Sequence, residues 1–427
     1  MPLGLGKKKK KNKDSGQPDP GPGAGYDPYA GQPPPAPRPH HQQGGHHAHA
    51  HGQYPHGQHA HHHQHQHDPH QQTRPPKGSV DPVPSGAHKY APSLSVKVVD
   101  VGGLPVNIFG LEELSPVLSR STAARPPEVC VIFHLHGRGG SAKNEEHIVR
   151  QLYHSLSQHR NAHEGRAARP SAGRSRQRGE TSQFTPDSDA GEREFIIVSF
   201  DARNHGHRLT SELGQKSWKD SNPEHAKDLY AMVHGTARDV SFLIDLLPAY
   251  IFPHDERVVT RWACTGKSLG GHSVWAILAS EPRITVGVPM IGCPDFQRLL
   301  QDRARSNFLP YGPPTVPHSL QALIRTIDPA AHPHYGSFDP QRNPFWGKAI
   351  CVCMGALDKL VKPAYAEDFL KNLVVSEPDQ GQSHGSDTGT GFSRLRIFVQ
   401  ENCGHTVTEQ MVDVAGDWIF RWAIQNR

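Results

Sequence analysis

The pentapeptide at 266–270, Gly-Lys-Ser-Leu-Gly, constrains the fold more than any other segment. An apolar run, Val258 to Cys264, precedes it, and a helix-like stretch, Gly271 to Ser280, follows it. This order predicts a sharp strand-to-helix turn that lifts the Ser268 hydroxyl clear of a sheet. Such a turn needs small residues two positions either side of the serine, because a side chain there would collide with neighbouring backbone. Both glycines of the pentapeptide meet this requirement.

The same segment contains Gly-Lys-Ser, which also ends the phosphate-binding loop motif. That motif needs a further glycine five residues before the Gly-Lys pair, and this position is Arg261. Its glycines also precede the lysine so that consecutive N–H groups can face a phosphate, whereas here further glycines follow the serine. The segment therefore favours an exposed serine over nucleotide binding.

Residues 1–92 differ in composition from the rest of the chain. They contain almost no apolar side chains, several proline-rich stretches, and a run of His, Gln and Gly from His40 to Gln72. Such a segment cannot bury enough surface to offset its conformational entropy, so it is predicted to be a disordered tail. The remainder, 93–427, has the length of one large α/β domain.

Charge and cysteine content limit the classes of partner. The formal net charge of +5 is small for 427 residues, and much of the basic clustering lies in the tail, so nucleic acid is not implied. No apolar run is long enough for a signal peptide or for the roughly 20 residues of a membrane span. The six cysteines show no Cys-x-x-Cys spacing, which favours a reducing compartment. We expect a cytoplasmic protein, with nuclear import through the lysine run at 7–11 as the alternative.

Apolar runs alternate with amphipathic stretches after the tail. The segments Leu94 to Val99 and Leu104 to Phe109, joined at Gly102-Gly103, predict an antiparallel hairpin at a sheet edge. Six short apolar runs are predicted to be buried strands: Val129–Leu135, Phe195–Phe200, Val258–Cys264, Val286–Ile291, Ala349–Met354 and Leu395–Val399. Helices are predicted between most of them, at Glu145–Ser157, Thr236–Leu247, Leu269–Ser280, Ala364–Leu373 and Val407–Ile424.

This alternation predicts an α/β fold: a mainly parallel, doubly wound sheet with helices on both faces and functional residues at the carboxyl ends of the strands. Two segments without periodicity, 160–192 and 376–392, are predicted to be disordered insertions. The stretch 294–346 has apolar positions in partly helical spacing and is predicted to be a small cap over the catalytic edge.

A serine hydroxyl is a weak nucleophile at neutral pH and needs an imidazole to take its proton and an acid to orient that imidazole. Asp358 lies just past the strand predicted at Ala349–Met354, and His405 lies between the last predicted strand and the last helix. Together with Ser268 they give the chain order serine, acid, histidine, so we predict a catalytic triad. Alternative acids, none of which directly ends a core strand, are Asp295, Asp328 and Asp339.

A tetrahedral intermediate also needs two N–H donors aimed at its oxyanion. We predict that Leu269, directly after the serine, supplies one of them. The second is expected from the glycine-rich loop His136 to Ser141, with Arg138 as the donor and Gly137 as the second choice. His136 is expected to support the turn of this loop rather than to take part in the chemistry.

A second polar loop, Asp201 to His207, follows the strand predicted at Phe195–Phe200. It contains Asp201, His205 and His207, which have the side chains of a metal site, but such a site needs three or four ligands in a defined geometry. We predict that this loop supports the oxyanion loop through hydrogen bonds, and that the protein has no metal site and no cofactor.

With these features the sequence resembles the α/β-hydrolases over about 94–427. The form Gly-x-Ser-x-Gly-Gly-His at 266–272, with Gly-Ala-Leu-Asp-Lys-Leu-Val at 355–361, resembles the dienelactone-hydrolase and prolyl-oligopeptidase-like branches. The resemblance implies hydrolysis of esters or related acyl compounds without a cofactor. Lys267 departs from the residues common at this position, and its charge leads to the hypothesis that it favours acidic acyl groups.

The leading functional prediction is a serine hydrolase of the carboxylesterase kind that acts on a small-molecule acyl substrate through an acyl-enzyme. A thioesterase, a peptidase or an acyltransferase would use the same residues. An alternative of another class is a non-catalytic scaffold whose tail, with 14 histidines between His40 and His70, binds Zn²⁺, Ni²⁺ or Cu²⁺. The substrate and the oligomeric state stay open at this point.

Overall fold

The computed structural model describes residues 89–116, 125–167, 192–377 and 393–425. All of these lie in one compact unit, Arg74–Arg427. Most of the predicted tail and most of the two predicted insertions, including 168–191 and 378–392, lie outside the described residues. Of the helices in the described ranges, none combines the length and apolar character that a bilayer span requires.

Eight strands form a single sheet in the order β1-β2-β4-β3-β5-β6-β7-β8. Their bounds are β1 Val96–Val101, β2 Leu104–Phe109, β3 Glu128–Leu135, β4 Glu194–Phe200, β5 Val258–Lys267, β6 Ile284–Met290, β7 Ala349–Gly355 and β8 Leu395–Gln400. The β1–β2 and β2–β4 pairs are antiparallel, and the pairs from β4 through β3 to β8 are parallel. The predicted fold class, a mainly parallel sheet with a hairpin at its edge, is therefore confirmed.

Helices cover both faces of this sheet. They are α1 Glu146–Ala167, α2 His225–Ile251, α3 Leu269–Ser280, α4 Phe296–Ser306, α5 His318–Ile327, α6 Glu367–Asn372 and α7 Glu409–Ile419, which continues as a π-helical turn, Phe420–Ile424. One apolar cluster joins α1 and α7 to one face, and a second joins α2, α3 and α6 to the other. Alternate residues of β3, such as Val131 and Ile132, enter opposite clusters, as the two-residue period of a strand requires.

Two helices are longer than the sequence predicted. Helix α1 continues past Ser157 to Ala167, into the segment predicted to be an insertion. Helix α2 begins at His225 rather than at Thr236. Its added turns are held by tertiary packing, since Leu229 and Met232 are buried in a cluster with residues of α4 and α5.

The segment 294–346, predicted as a cap, contains α4 and α5. Its buried apolar side chains Leu299 and Ile324 pack in the same cluster as Leu269, the residue after the serine. This segment therefore lies against the strand-to-helix turn that the pentapeptide forms. The six cysteines are all buried and unpaired, so they act as small apolar residues of the core.

Candidate active site

Ser268 lies at the turn between β5 and α3 with φ 53° and ψ −106°. A non-glycine residue held at positive φ is strained, and such strain clusters at functional sites. Its neighbours leave no room for side chains: a Cβ on Gly270 would lie 2.1 Å from the carbonyl oxygen of Leu135, and one on Gly266 would lie 2.6 Å from the Gly270 carbonyl carbon. The strand-to-helix turn predicted from the pentapeptide is confirmed.

These distances predict that Gly270→Ala destabilises the protein. The added methyl group meets backbone atoms of β3, which cannot move aside as a flexible side chain does, so we expect a loss of about 1–3 kcal/mol or more in the free energy of unfolding. Urea denaturation monitored by tryptophan fluorescence measures it. The matched control is Gly312→Ala, where an added Cβ meets no atom within 4 Å. A Gly270→Ala protein within about 0.5 kcal/mol of the wild type would contradict the steric account.

The structure brings Ser268, His405 and Asp358 together. The Ser268 Oγ lies 2.8 Å from His405 Nε2, and His405 Nδ1 lies 2.7 Å from Asp358 Oδ2. Asp358 follows β7 and its carboxylate is buried, while the His405 side chain keeps 21% of its surface exposed at the mouth of the site. The other carboxylate oxygen accepts hydrogen bonds from the N–H groups of Leu360 at 2.8 Å and Val361 at 2.9 Å. Each side chain in this series is thus held by the next.

The charge of Asp358 is set by two opposing effects. Burial alone raises the pKa of its carboxyl, but the hydrogen bonds from His405, Val361 and Leu360 and the charge of His405 outweigh it, so the pKa lies below its usual value. The group is therefore an ionised acceptor at neutral pH. It draws the imidazole proton to Nδ1 of His405, which leaves Nε2 free to accept the Ser268 proton.

The three alternative acids have other roles. Asp295 caps α4 by accepting a hydrogen bond from the backbone of Arg298. Asp328 accepts one from the backbone N–H of Phe296. Asp339 accepts one in a turn from the N–H of Gln341. Among the hydrogen bonds of the described residues, the His405 imidazole has a carboxylate partner only in Asp358.

The loop after β3 lies against the first turn of α3, because the Gly270 N–H donates to the His136 carbonyl oxygen at 3.1 Å. The two amides predicted as oxyanion donors, Arg138 and Leu269, lie on these two touching segments. Neither amide donates a hydrogen bond to another described residue. The arrangement therefore leaves both N–H groups available for an oxyanion.

The loop Asp201–His207 supports this oxyanion loop, as predicted. Two hydrogen bonds join the two loops, Ala202 N–H to His136 Nε2 at 2.9 Å and Gly139 N–H to His205 Nε2 at 3.0 Å, and a third joins the adjoining Ala142 N–H to Asp201 Oδ1 at 2.8 Å. Burial lowers the pKa of His205 to about 4, so its ring is neutral near pH 7. Its Nε2 can therefore accept the hydrogen bond from the Gly139 N–H. In the described part of the chain no group of three His, Cys, Asp or Glu side chains is placed to hold a metal ion.

Lys267 has a partner that the sequence did not reveal. Its ammonium group lies 3.0 Å from a carboxylate oxygen of Glu145, whose side chain is buried next to His134. Burial raises the pKa of Glu145, but the imidazole of His134, 3.6 Å from its carboxylate, and the charge of Lys267 bring it down to about 2. The lysine charge is therefore compensated inside the protein. The hypothesis that Lys267 selects acidic acyl groups loses its basis.

The strand order and the serine turn are those of the α/β-hydrolase fold, so the predicted resemblance is confirmed at the level of the fold. No family model and no curated protein matches the sequence.

Among solved structures, TT1662 from Thermus thermophilus is 18% identical, with a TM-score of 0.45 over 77% of this chain and 98% of that one. The esterase Pf2001 from Pyrococcus furiosus is 15% identical, with a TM-score of 0.38 over 77% and 94%. Est1E from Butyrivibrio proteoclasticus is 11% identical, with a TM-score of 0.40 over 77% and 98%.

Proposed function

We propose that this protein is a serine hydrolase that cleaves a small-molecule carboxylic ester through an acyl-enzyme. Ser268 is the nucleophile, His405 the general base and acid, and Asp358 the orienting carboxylate. The observation that carries the proposal is the continuous series of hydrogen bonds from the Ser268 hydroxyl to the His405 imidazole at 2.8 Å and on to Asp358 at 2.7 Å. This series gives a hydroxyl the two partners that it needs to attack a carbonyl carbon at neutral pH.

In the acylation step the Ser268 Oγ forms a bond to the carbonyl carbon while its proton passes to His405 Nε2. The carbonyl electrons move onto oxygen, and the amides of Leu269 and Arg138 donate hydrogen bonds to that oxyanion. The buried negative charge of Asp358 stabilises the imidazolium that has formed. When the tetrahedral intermediate collapses, the ester C–O bond breaks and the alcohol leaves with the proton from His405.

Deacylation repeats these steps with water. His405 Nε2, neutral again, takes a proton from a water molecule whose oxygen attacks the acyl carbon. Collapse of the second intermediate breaks the bond to Ser268 Oγ, which recovers its proton from His405. The carboxylic acid then leaves, and no cofactor is consumed.

A cavity beside the loop after β3 is large enough to receive one small group of the substrate. The cavity measures about 180 Å³ and is lined in part by Arg138 of the oxyanion loop. Pockets for drug-sized ligands measure about 300–1,000 Å³. The cavity therefore has room for one small substituent, while the reacting carbonyl lies outside its lining at Ser268.

Burst kinetics test the proposal. We expect para-nitrophenyl esters of short acids to release a burst of nitrophenol close to one equivalent per chain, followed by slower turnover, because the acyl-enzyme accumulates. Stopped-flow absorbance measures the amplitude of this burst. If no ester of the series shows a burst or turnover with folded protein, the proposal fails.

A further inference from the structure

The cavity of about 180 Å³ lies where four segments meet. The oxyanion loop contributes Arg138, the segment 217–225 contributes Lys219 and His225, the loop after β7 contributes Lys359 and Leu360, and α4 contributes Arg303. Leu360 also donates its N–H to Asp358. The cavity therefore adjoins both the proposed oxyanion donor and the proposed orienting acid.

Positive charge dominates the wall of this cavity. Its lining contains five cationic side chains and one carboxylate: Arg138, Lys219, Arg303, Lys359 and Lys362, with Asp302. The carboxylate is already engaged, because Asp302 accepts a hydrogen bond from Lys362 at 2.9 Å and another from the Tyr365 hydroxyl. Outside the lining, the charge of Asp220 acts on Arg138 and that of Asp358 acts on Arg303, so the excess of positive charge at the cavity is only partly offset.

The guanidinium of Arg303 has few hydrogen-bond acceptors among the described residues. Its Nε is buried without a hydrogen-bond partner, and the nearest acceptor of its guanidinium, the Leu360 carbonyl oxygen, lies 3.5 Å from Nη2. It forms no ion pair with a described carboxylate. Arg303 is only half-buried as a residue, but an N–H group shielded from water without an acceptor is costly, and an acceptor in the cavity would remove that cost.

Arg138 is close enough to Arg303 for the two charges to repel. Burial first, and then the charge of Arg138, lowers the pKa of Arg303 to about 10. The same two arginines, after burial, lower the pKa of His225 to about 3, so this lining side chain stays neutral. Arg138 is held in place by a hydrogen bond from Nη1 to the Gln215 carbonyl oxygen at 3.1 Å. Two adjacent guanidinium groups thus face one small cavity.

We propose that this cavity is an anion subsite in which Arg138 and Arg303 bind an oxyanion group of the substrate, a carboxylate or a phosphate, while the ester carbonyl lies at Ser268. The inference rests on the proposed function and specifies its substrate class as small acidic esters. Guanidinium groups bind such oxyanions through paired N–H donors, and an anion would relieve the repulsion between the two arginines. The preference for acidic acyl groups is thereby assigned to these arginines and not to Lys267.

Matched esters test this assignment. The anionic substrate is para-nitrophenyl hydrogen glutarate, its phosphonate analogue is the second anionic arm, and para-nitrophenyl pentanoate is the neutral control. We expect wild-type kcat/KM for at least one anionic ester to exceed that for the neutral ester by roughly 10- to 100-fold, the value of a charge-assisted hydrogen-bond pair. Arg303→Gln is expected to bring the ratio of the two kcat/KM values close to one. Arg303→Lys is expected to retain part of the preference for the anionic ester.

The control variant is Arg305→Gln, which removes an exposed arginine from the same helix and leaves the cavity lining unchanged. Its ratio is expected to equal that of the wild type, which excludes a general effect of net charge. A wild-type ratio near one for both anionic esters, or a ratio that Arg303→Gln leaves unchanged, overturns the subsite.

Binding measurements separate this inference from the proposed function. Calorimetry at fixed ionic strength with glutarate and with inorganic phosphate, on the Ser268→Ala protein, reports the subsite without turnover. We expect Arg303→Gln, combined with Ser268→Ala, to raise the Kd of the more tightly bound of the two anions at least tenfold. If no ester is hydrolysed but anion binding depends on Arg303, the proposed function fails and the subsite stands. If esters are hydrolysed but neither binding nor the kcat/KM ratio depends on Arg303, the subsite fails and the proposed function stands.

Discussion

Ser268→Ala is expected to lower kcat for ester hydrolysis by about 10⁴- to 10⁶-fold, the cost of removing the nucleophile from a serine triad. Alanine is smaller than serine and fits the same turn, and the Ser268 N–H keeps its hydrogen bond to the Met290 carbonyl oxygen at 2.9 Å. The fold and the oxyanion amides therefore persist. Initial rates with a para-nitrophenyl ester, set against circular dichroism of the same sample, measure the effect.

Ser280→Ala is the matched control because it removes a hydroxyl from the exposed C-terminal end of α3, the helix that Ser268 precedes, where the hydroxyl donates to the Ala276 carbonyl oxygen. Its kcat is expected to stay within twofold of the wild type. If Ser268→Ala keeps more than a tenth of the wild-type kcat, Ser268 is not the nucleophile.

Asp358→Asn is expected to lower kcat by roughly 10⁴-fold with little change in the fold. The amide oxygen can still accept the N–H groups of Leu360 and Val361, so the loop keeps its shape. Its NH₂ group, however, donates to His405 Nδ1 and drives the imidazole proton to Nε2. The histidine then has no lone pair for the serine proton.

The pH dependence of folding stability and of activity gives a second test of the role of Asp358. Because the pKa of Asp358 lies below its ordinary value of 3.8, its carboxylate stays ionised at every pH above that value. Its contribution to folding stability is therefore fully present above this range and is lost only as the pH falls through the lowered pKa. If the wild type loses activity between pH 8 and about 5, the loss must then reflect protonation of a group other than Asp358.

Asp295→Asn is the control for this prediction, since Asp295 was an alternative acid and the structure places it at the cap of α4. We expect its kcat to stay within a few-fold of the wild type. An Asp295→Asn enzyme as impaired as Asp358→Asn, or an Asp358→Asn enzyme within tenfold of the wild type, would show that the orienting acid has been misassigned.

The turn at Ser268 could be predicted because its determinants are local. Glycine at 266 and at 270 and the flanking apolar runs all act within a few residues. The positions of Asp358 and His405 followed from the order of the strands, since parallel strands bring their carboxyl ends to one edge. The three residues proposed as the triad could therefore be identified from chain order without any distance information.

Other parts of the site depend on contacts between distant segments, which no local pattern encodes. Glu145 neutralises Lys267 across 122 positions of sequence. Arg303 lies in the 294–346 segment, where helical spacing predicted packing but gave no sign of which polar side chain faces the site. The early start of α2 at His225 is explained in the same way, because α4 and α5 bury its first turns.

The central claim is that Ser268 carries the acyl group, and trapping it is the most direct test. A fluorophosphonate is attacked by an activated serine and remains bonded to its oxygen, so intact-mass and peptide-mapping spectrometry locate the nucleophile. We expect one adduct per chain, on Ser268, and none on Ser268→Ala. An adduct on another residue, or labelling that persists in Ser268→Ala, would contradict this claim.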